Sequence, residues 1–174
     1  MSGPEDLELA LELADMADVV TMQSFRRSDL IVDSKPDMTF VTEADRGAEQ
    51  ILRDHLANVR PDDAIVGEEH GTSGGSSGAK WVIDPIDGTH NYVRSIPVWA
   101  TLIAVEREGV IDVGVVSAPA LGRRWWAARG QGAFVTGGER INVSKVGRLE
   151  DAQLSCGWDE VMFDPGYEAL ARQC

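Results

Sequence analysis

The densest run of potential chemistry in this 174-residue chain is Asp84-Pro85-Ile86-Asp87-Gly88-Thr89, directly after the apolar stretch Trp81-Val82-Ile83. A buried strand that ends in a carboxylate delivers it to a sheet edge at a defined place. Pro85 fixes φ and removes one amide hydrogen, Asp87 returns a second carboxylate within one turn of the first, and Gly88 lets the backbone approach a ligand closely. Two carboxylates ~4 Å apart repel by about 4 kcal/mol at an effective dielectric of 20, so a positive charge is expected between them. Oxygen ligands from carboxylates and a backbone carbonyl suit magnesium, which keeps several waters and often binds substrate phosphate as well. Asp-Pro and Asp-Gly are each ordinary turn dipeptides, and only the whole hexapeptide shifts the balance toward a metal.

The longer string Asp84-Pro85-Ile86-Asp87-Gly88-Thr89-His90-Asn91-Tyr92 resembles the metal-binding motif of the inositol monophosphatase superfamily. Gly67-Glu68-Glu69 resembles that family's glutamate motif, and Lys35-Pro36-Asp37-Met38-Thr39 with Val41-Thr42-Glu43-Ala44-Asp45 resembles its N-terminal motif. Singly, the glutamates read as a solvated turn and Thr42 with Asp45 as a helix cap. Their weight comes from occurring together and in order.

The resemblance implies that Glu68, Asp84 and the carbonyl of Ile86 hold one magnesium ion, and that Asp84 bridges to a second ion also bound by Asp87. Glu68 would help to order a further ion and the attacking water, making two or three ions per site in the complete fold. Thr89, paired with Asp45, would orient and deprotonate that water. If Thr89 begins a helix, the first amides at Gly88 and Thr89 cradle phosphate, and Lys35 is expected to add a point charge near metal-bound water or phosphate, or to be an exposed lysine without a role. Phosphate monoesters are among the slowest uncatalysed hydrolyses, with enzymatic enhancements up to about 10²¹, so positioning and charge neutralisation must both be large.

The elements that must position these groups are written in the apolar periodicity. From Pro4 to about Phe25, Leu7, Leu11, Ala14, Ala17 and Val20 recur at helical spacing, with Glu5 and Asp6 in the first turn. Thr42, three residues before Asp45, opens a second helical run through Ala48, Ile51, Leu52 and Leu56. Ala64-Ile65-Val66 and Trp81-Val82-Ile83 read as buried strands joined by the Gly/Ser-rich residues 71–78, a slack connection by composition, or, as the family resemblance implies, a mobile segment that closes over the metals. Residues 98–106, 111–117 and 123–127 are β-rich with short connections, which predicts an antiparallel meander. Weaker strand signals lie at residues 133–135, 141–143 and 152–156, and Asp164-Pro165 is expected to open a last helix. The sum is an α+β layered domain. The resemblance makes it the αβα(βα) sugar-phosphatase type, with the two-helix plus antiparallel sheet layer present and the C-terminal αβ layer largely missing.

Composition narrows the function classes. Acidic residues number 29 against 16 basic, a net charge of −13 that repels nucleic acid and anionic membrane surfaces. No run approaches the ~18 apolar residues of a membrane span, the N-terminus lacks a secretory pattern, and Cys156 and Cys174 read as free thiols, so a cytoplasmic location is expected. The expected partner is a small phosphorylated metabolite, and the resemblance implies a homodimer.

Val98-Trp99-Ala100-Thr101-Leu102-Ile103-Ala104 and residues 118–127 resemble the actinobacterial histidinol-phosphatase branch, which implies L-histidinol phosphate as substrate and a place in histidine biosynthesis. Inositol 1-phosphate or another small sugar phosphate is the runner-up. Family members continue past position 174 with a Trp-Asp motif that completes the second metal site, so residues 1–174 are expected to be the N-terminal portion of one phosphatase domain. Trp158-Asp159 sits too early and lacks the small residues that follow that motif. A metal-binding fragment without turnover is therefore the alternative from another class.

Overall fold

The first helix exists because small and apolar residues fall every three or four positions on one side of an acidic segment. In the computed structural model, which describes residues 4–35 and 39–153, α1 (Pro4–Ser24) buries Leu9, Ala10, Leu13, Ala14 and Ala17. The stripe is centred on Leu9 and Leu13; Leu7 and Leu11, expected at its middle, are half-buried against its margin. The second helix, α2 (Glu43–Val59), begins where the sequence predicts. Thr42 caps it by accepting the amides of Ala44 and Asp45 at 3.1 and 3.3 Å, while Asp45 reaches back to the Thr42 amide at 2.8 Å. This reciprocal box satisfies donors that a helix start otherwise leaves unpaired. Leu52 and Leu56 face the core as expected, but Ile51 is exposed and Glu49 is buried instead.

Two short strands that the sequence does not announce, β1 (Val32–Ser34) and β2 (Phe40–Thr42), pair antiparallel and lead the chain into the Thr42 cap. Eight further strands form one sheet: β3 (Ala64–Gly67), β4 (Gly71–Ser73), β5 (Ala79–Asp87), β6 (Ala100–Arg107), β7 (Val110–Ala118), β8 (Arg123–Ala128), β9 (Gly132–Val135) and β10 (Glu139–Ile141). Their spatial order is β10-β9-β8-β7-β6-β5-β3-β4. The meander from β6 to β8 is antiparallel as predicted and extends antiparallel to β5 on one side and to β9 and β10 on the other, but β3 runs parallel to β5, so the sheet is mixed rather than wholly antiparallel. Part of the expected Gly/Ser loop is strand β4, an exposed edge held by its ladder to β3.

Both helices lie on one face of the sheet, over Ile65, Trp81, Ile83, Ile103, Val105, Val113 and Val115. Strand alternation turns Val82, Leu102, Ala104 and Val116 to the other face, where they are half-buried or exposed. Trp81 anchors the centre, fully buried, with its indole N–H donating to Asp63 at 2.9 Å.

A second, smaller core gathers Ala44, Ile86, Tyr92 and Trp99 with Phe25 against them, under the turn between β5 and the short helix α3 (Thr89–Val93). Tyr92 and Trp99 meet edge to face at 4.9 Å, an arrangement worth about 0.5–1.5 kcal/mol beyond area burial. The Tyr92 hydroxyl donates to the Thr21 carbonyl of α1 at 2.6 Å, tying α3 to the main core.

The chain divides into two compact units, Met1–Ile141 and Asn142–Cys174; the described part of the second holds one short 3-10 helix, Leu149–Asp151. Residues 142 and 143, predicted as strand, are not in one; nor are 152 and 153. The remainder of the expected strand at 154–156, the helix at Asp164-Pro165, Trp158-Asp159 and both cysteines lie outside the described residues, as do Pro36, Asp37 and Met38.

Because Thr42 is buried and caps α2, Thr42→Ala should destabilise the fold by about 1–2 kcal/mol in denaturant unfolding, and Thr42→Ser by much less. Equal stability of all three proteins would contradict the cap.

Candidate active site

The site forms where β3 and β5, side by side and parallel, both end. Gly67 pairs with Ile83, and the Glu68 amide donates to the Ile83 carbonyl at 3.3 Å, so Glu68 emerges beside Asp84. Pairing of β5 with β6 is regular through Asp84 and then shifts before Asp87, a bulge at the Pro85-Ile86 step, where no ladder amide is available from proline. Thr101 of β6 fills the gap by donating to the Pro85 carbonyl at 2.8 Å. Gly88 then turns the chain with φ 89°, and a Cβ there would stand 3.2 Å from the Val98 carbonyl, so only glycine suits the start of α3.

Asp84 is the most strained titratable group of this set. Burial first, then the charges of Glu68 and Asp87, push its pKa up to about 8, although it accepts the Ile86 amide at 3.0 Å. Lys35 places its ammonium between two neighbouring glutamates, 2.7 Å from Glu68 and 2.8 Å from Glu69. Burial disfavours the charge of Lys35, but these two carboxylates outweigh it and hold its pKa above the usual lysine range.

Asp45 sits below, at the first turn of α2. Its hydrogen bonds from the Thr42 hydroxyl (2.5 Å) and amide oppose burial, which still pushes its pKa up to about 6. The Thr89 hydroxyl is 3.5 Å from Asp45 and 3.0 Å from the Ile86 carbonyl. The structure therefore brings Asp45, Thr89 and Ile86 together at one side, and Lys35, Glu68, Asp84 and Asp87 at the other.

The donor set fits a hard divalent cation in type: three carboxylates and a carbonyl, all oxygen, with one acid raised by burial and then by the acids beside it. A positive group, the Lys35 ammonium, already lies against Glu68. The arrangement is not a closed shell, however. Among the described residues no three His, Cys, Asp or Glu side chains are gathered closely enough to hold an ion, and Glu68 faces Lys35. At 45% side-chain exposure Glu68 can change rotamer on the ps–ns timescale.

Sequence reasoning passed over Glu49, which is fully buried four residues after Asp45 on the same side of α2. Burial opposes its charge, but hydrogen bonds from the Glu69 amide, Arg53 and the His70 amide hold its pKa below the usual glutamate range. The available signal was a glutamate on the helix face that also carries Ala48, Leu52 and Leu56.

The family profile described as "Inositol monophosphatase family" matches residues 5–162, nearly the whole chain. This chain belongs to the inositol monophosphatase family. Members of the family are generally metal-dependent. Among its relatives, the histidinol-phosphatase of Streptomyces coelicolor is 50% identical over 97% of this chain and 68% of its own length. The histidinol-phosphatase of Mycobacterium tuberculosis is 54% identical over 88% of this chain and 62% of its own. An inositol-1-monophosphatase of Rhizobium meliloti is 39% identical over 74% of this chain and 48% of its own. Among solved structures, the extragenic suppressor protein suhB of Bartonella henselae superposes with a TM-score of 0.78 at 32% identity, covering 83% of this chain and 57% of that one. The Thermotoga maritima IMPase TM1415 gives 0.75 at 36% identity, covering 81% and 54%. The chain thus spans about two thirds or less of the length of the family members it matches.

Asp84 yields a prediction about stability. Between about pH 4 and pH 8 the folded chain keeps a proton there that the unfolded chain releases, so this group makes stability fall as pH rises through that window. In chelator, Asp84→Asn should raise the unfolding midpoint at pH 7.5 and flatten the decline across the window. A midpoint lowered at pH 7.5 would contradict the crowding of these acids.

Proposed function

We propose that this protein hydrolyses phosphate monoesters with magnesium and that its substrate is L-histidinol phosphate. One observation carries the reading: Glu68 and Asp87 both bear on the half-buried Asp84 where β3 ends beside β5, in a chain 50–54% identical to two histidinol-phosphatases, against 39% to an inositol-1-monophosphatase. Glu68, Asp84, Asp87 and the Ile86 carbonyl would hold the metal, whose chemistry when bound is to neutralise phosphate charge and make a nucleophile available near neutral pH.

The chain's own groups do the rest. Asp45, with its pKa pushed up to about 6, is matched to accept a proton near neutrality, and Thr89 between Asp45 and the Ile86 carbonyl relays or orients that proton. The amides that open α3 at Gly88 and Thr89 have no acceptor within the helix and suit phosphate oxygens. Lys35 adds positive charge beside Glu68. The net charge of −13 argues for a small metabolite over nucleic acid, and we extend the proposal to a cytoplasmic homodimer that acts in histidine biosynthesis.

Phosphate release should be measured from L-histidinol phosphate and from inositol 1-phosphate, with magnesium and with excess chelator. Release from the first ester is expected to exceed the second at least tenfold and to vanish in chelator. Asp84→Asn should lower it by roughly a hundredfold or more, since even outer partners of a metal are worth 10–100-fold. Rates equal in chelator contradict the metal, preference for inositol 1-phosphate contradicts the substrate, and no release by the folded chain favours a metal-binding piece without turnover.

A further inference from the structure

Glu49 has no exposed surface, yet every side of its carboxylate is engaged. Oε2 accepts the Glu69 amide at 2.7 Å; Oε1 accepts the His70 amide at 3.1 Å and Nε of Arg53 at 2.7 Å, with Nδ1 of His70 at 3.3 Å. Arg53 also donates to the Gly71 carbonyl, so the pair grips the turn from β3 to β4 at two points. The strand makes room for it: a Cβ on Gly67 would stand 1.9 Å from Oε1 of Glu49. One helical turn earlier, about 6 Å along the axis, α2 presents Asp45.

We propose that Glu49 is a positioning residue, which fixes the Glu68-Glu69-His70 turn to α2 by accepting two of its amide hydrogens. It touches neither substrate nor metal. It sets the spacing between the acids of the turn and Asp45, so that the candidate base and the candidate ligand Glu68 move as one body. A buried carboxylate that served only to pair with Arg53 would have no need of the two backbone donors. The functional consequence rests on the metal-dependent reading above; the hydrogen bonds do not.

The test compares Glu49→Gln, Gly67→Ala and a control, Leu52→Ala, which weakens the same helix at a fully buried apolar position. Glutamine must turn a donor toward one of the amides or toward Arg53, and an alanine at 67 displaces the carboxylate without removing its charge, which keeps the question answerable should Glu49→Gln fail to fold. Two quantities are read: hydrogen exchange at the amides of Glu69 and His70 relative to those of Ile103 and Val105, and affinity for magnesium alone by calorimetry. We expect the Glu69 and His70 amides to exchange at least tenfold faster in both variants while the β6 amides hold, and magnesium affinity to fall at least tenfold. Leu52→Ala should speed exchange broadly without that selectivity. Unchanged protection at Glu69 and His70, the same pattern in the control, or selective exchange with magnesium affinity intact would each overturn the positioning role. Absence of a magnesium response in the unmodified chain would instead defeat the metal-dependent reading, and the exchange data alone would then decide whether Glu49 fixes the turn.

Discussion

Acids crowded together in a partly dry place are the constraint around which this chain is organised. Burial already disfavours the charge of Asp84, and the acids Glu68 and Asp87 beside it make that worse. A fold driven only by stability would place an amide or an apolar residue there. Keeping carboxylates at the joined ends of β3 and β5 costs stability and creates a demand for positive charge, which Lys35 meets in part.

The scaffold answers that demand with rigidity on both sides. The aromatic cluster of Phe25, Tyr92 and Trp99 supports the turn from Asp87 to Thr89, and the Tyr92 hydroxyl ties it to α1. On the other side α2 is pinned at its first residue by Thr42 and carries Asp45 and Glu49 along one line. A bulge at the Pro85-Ile86 step shifts the register of β5, so that Asp84, paired with Leu102, and Asp87, paired with Ala100, leave the same strand on either side of the irregularity.

What could be read in the sequence was what periodicity and capping determine. Both helices, the Thr42 box and the meander from residues 100 to 128 follow from apolar spacing and short turns, because burial of one face leaves few alternatives. The order of the acidic motifs led to the family. What could not be read depends on pairing across space. Strands β1 and β4 are three residues each and wholly exposed, so no apolar pattern marks them. A short apolar run such as Ala64-Ile65-Val66 carries no sign of whether its neighbour runs parallel, and β3 beside β5 is the one parallel pair among the described strands. Lys35 was expected near phosphate or water; that its nearest partners are Glu68 and Glu69 is a matter of rotamers and field. Glu49 was missed because a glutamate in a helix ordinarily reads as solvated surface, and its burial is explained only by the amides of a turn twenty residues away.

We propose that the oxygens of Glu68, Asp84 and Asp87, with the Ile86 carbonyl, share a divalent cation, and crystals soaked in manganese and measured at its absorption edge decide whether they do. An anomalous peak is expected between Glu68 and Asp84, within bonding distance of both and of the Ile86 carbonyl, with Lys35 displaced from Glu68. A map without a peak there, or with manganese only on acids elsewhere on the surface, would contradict it.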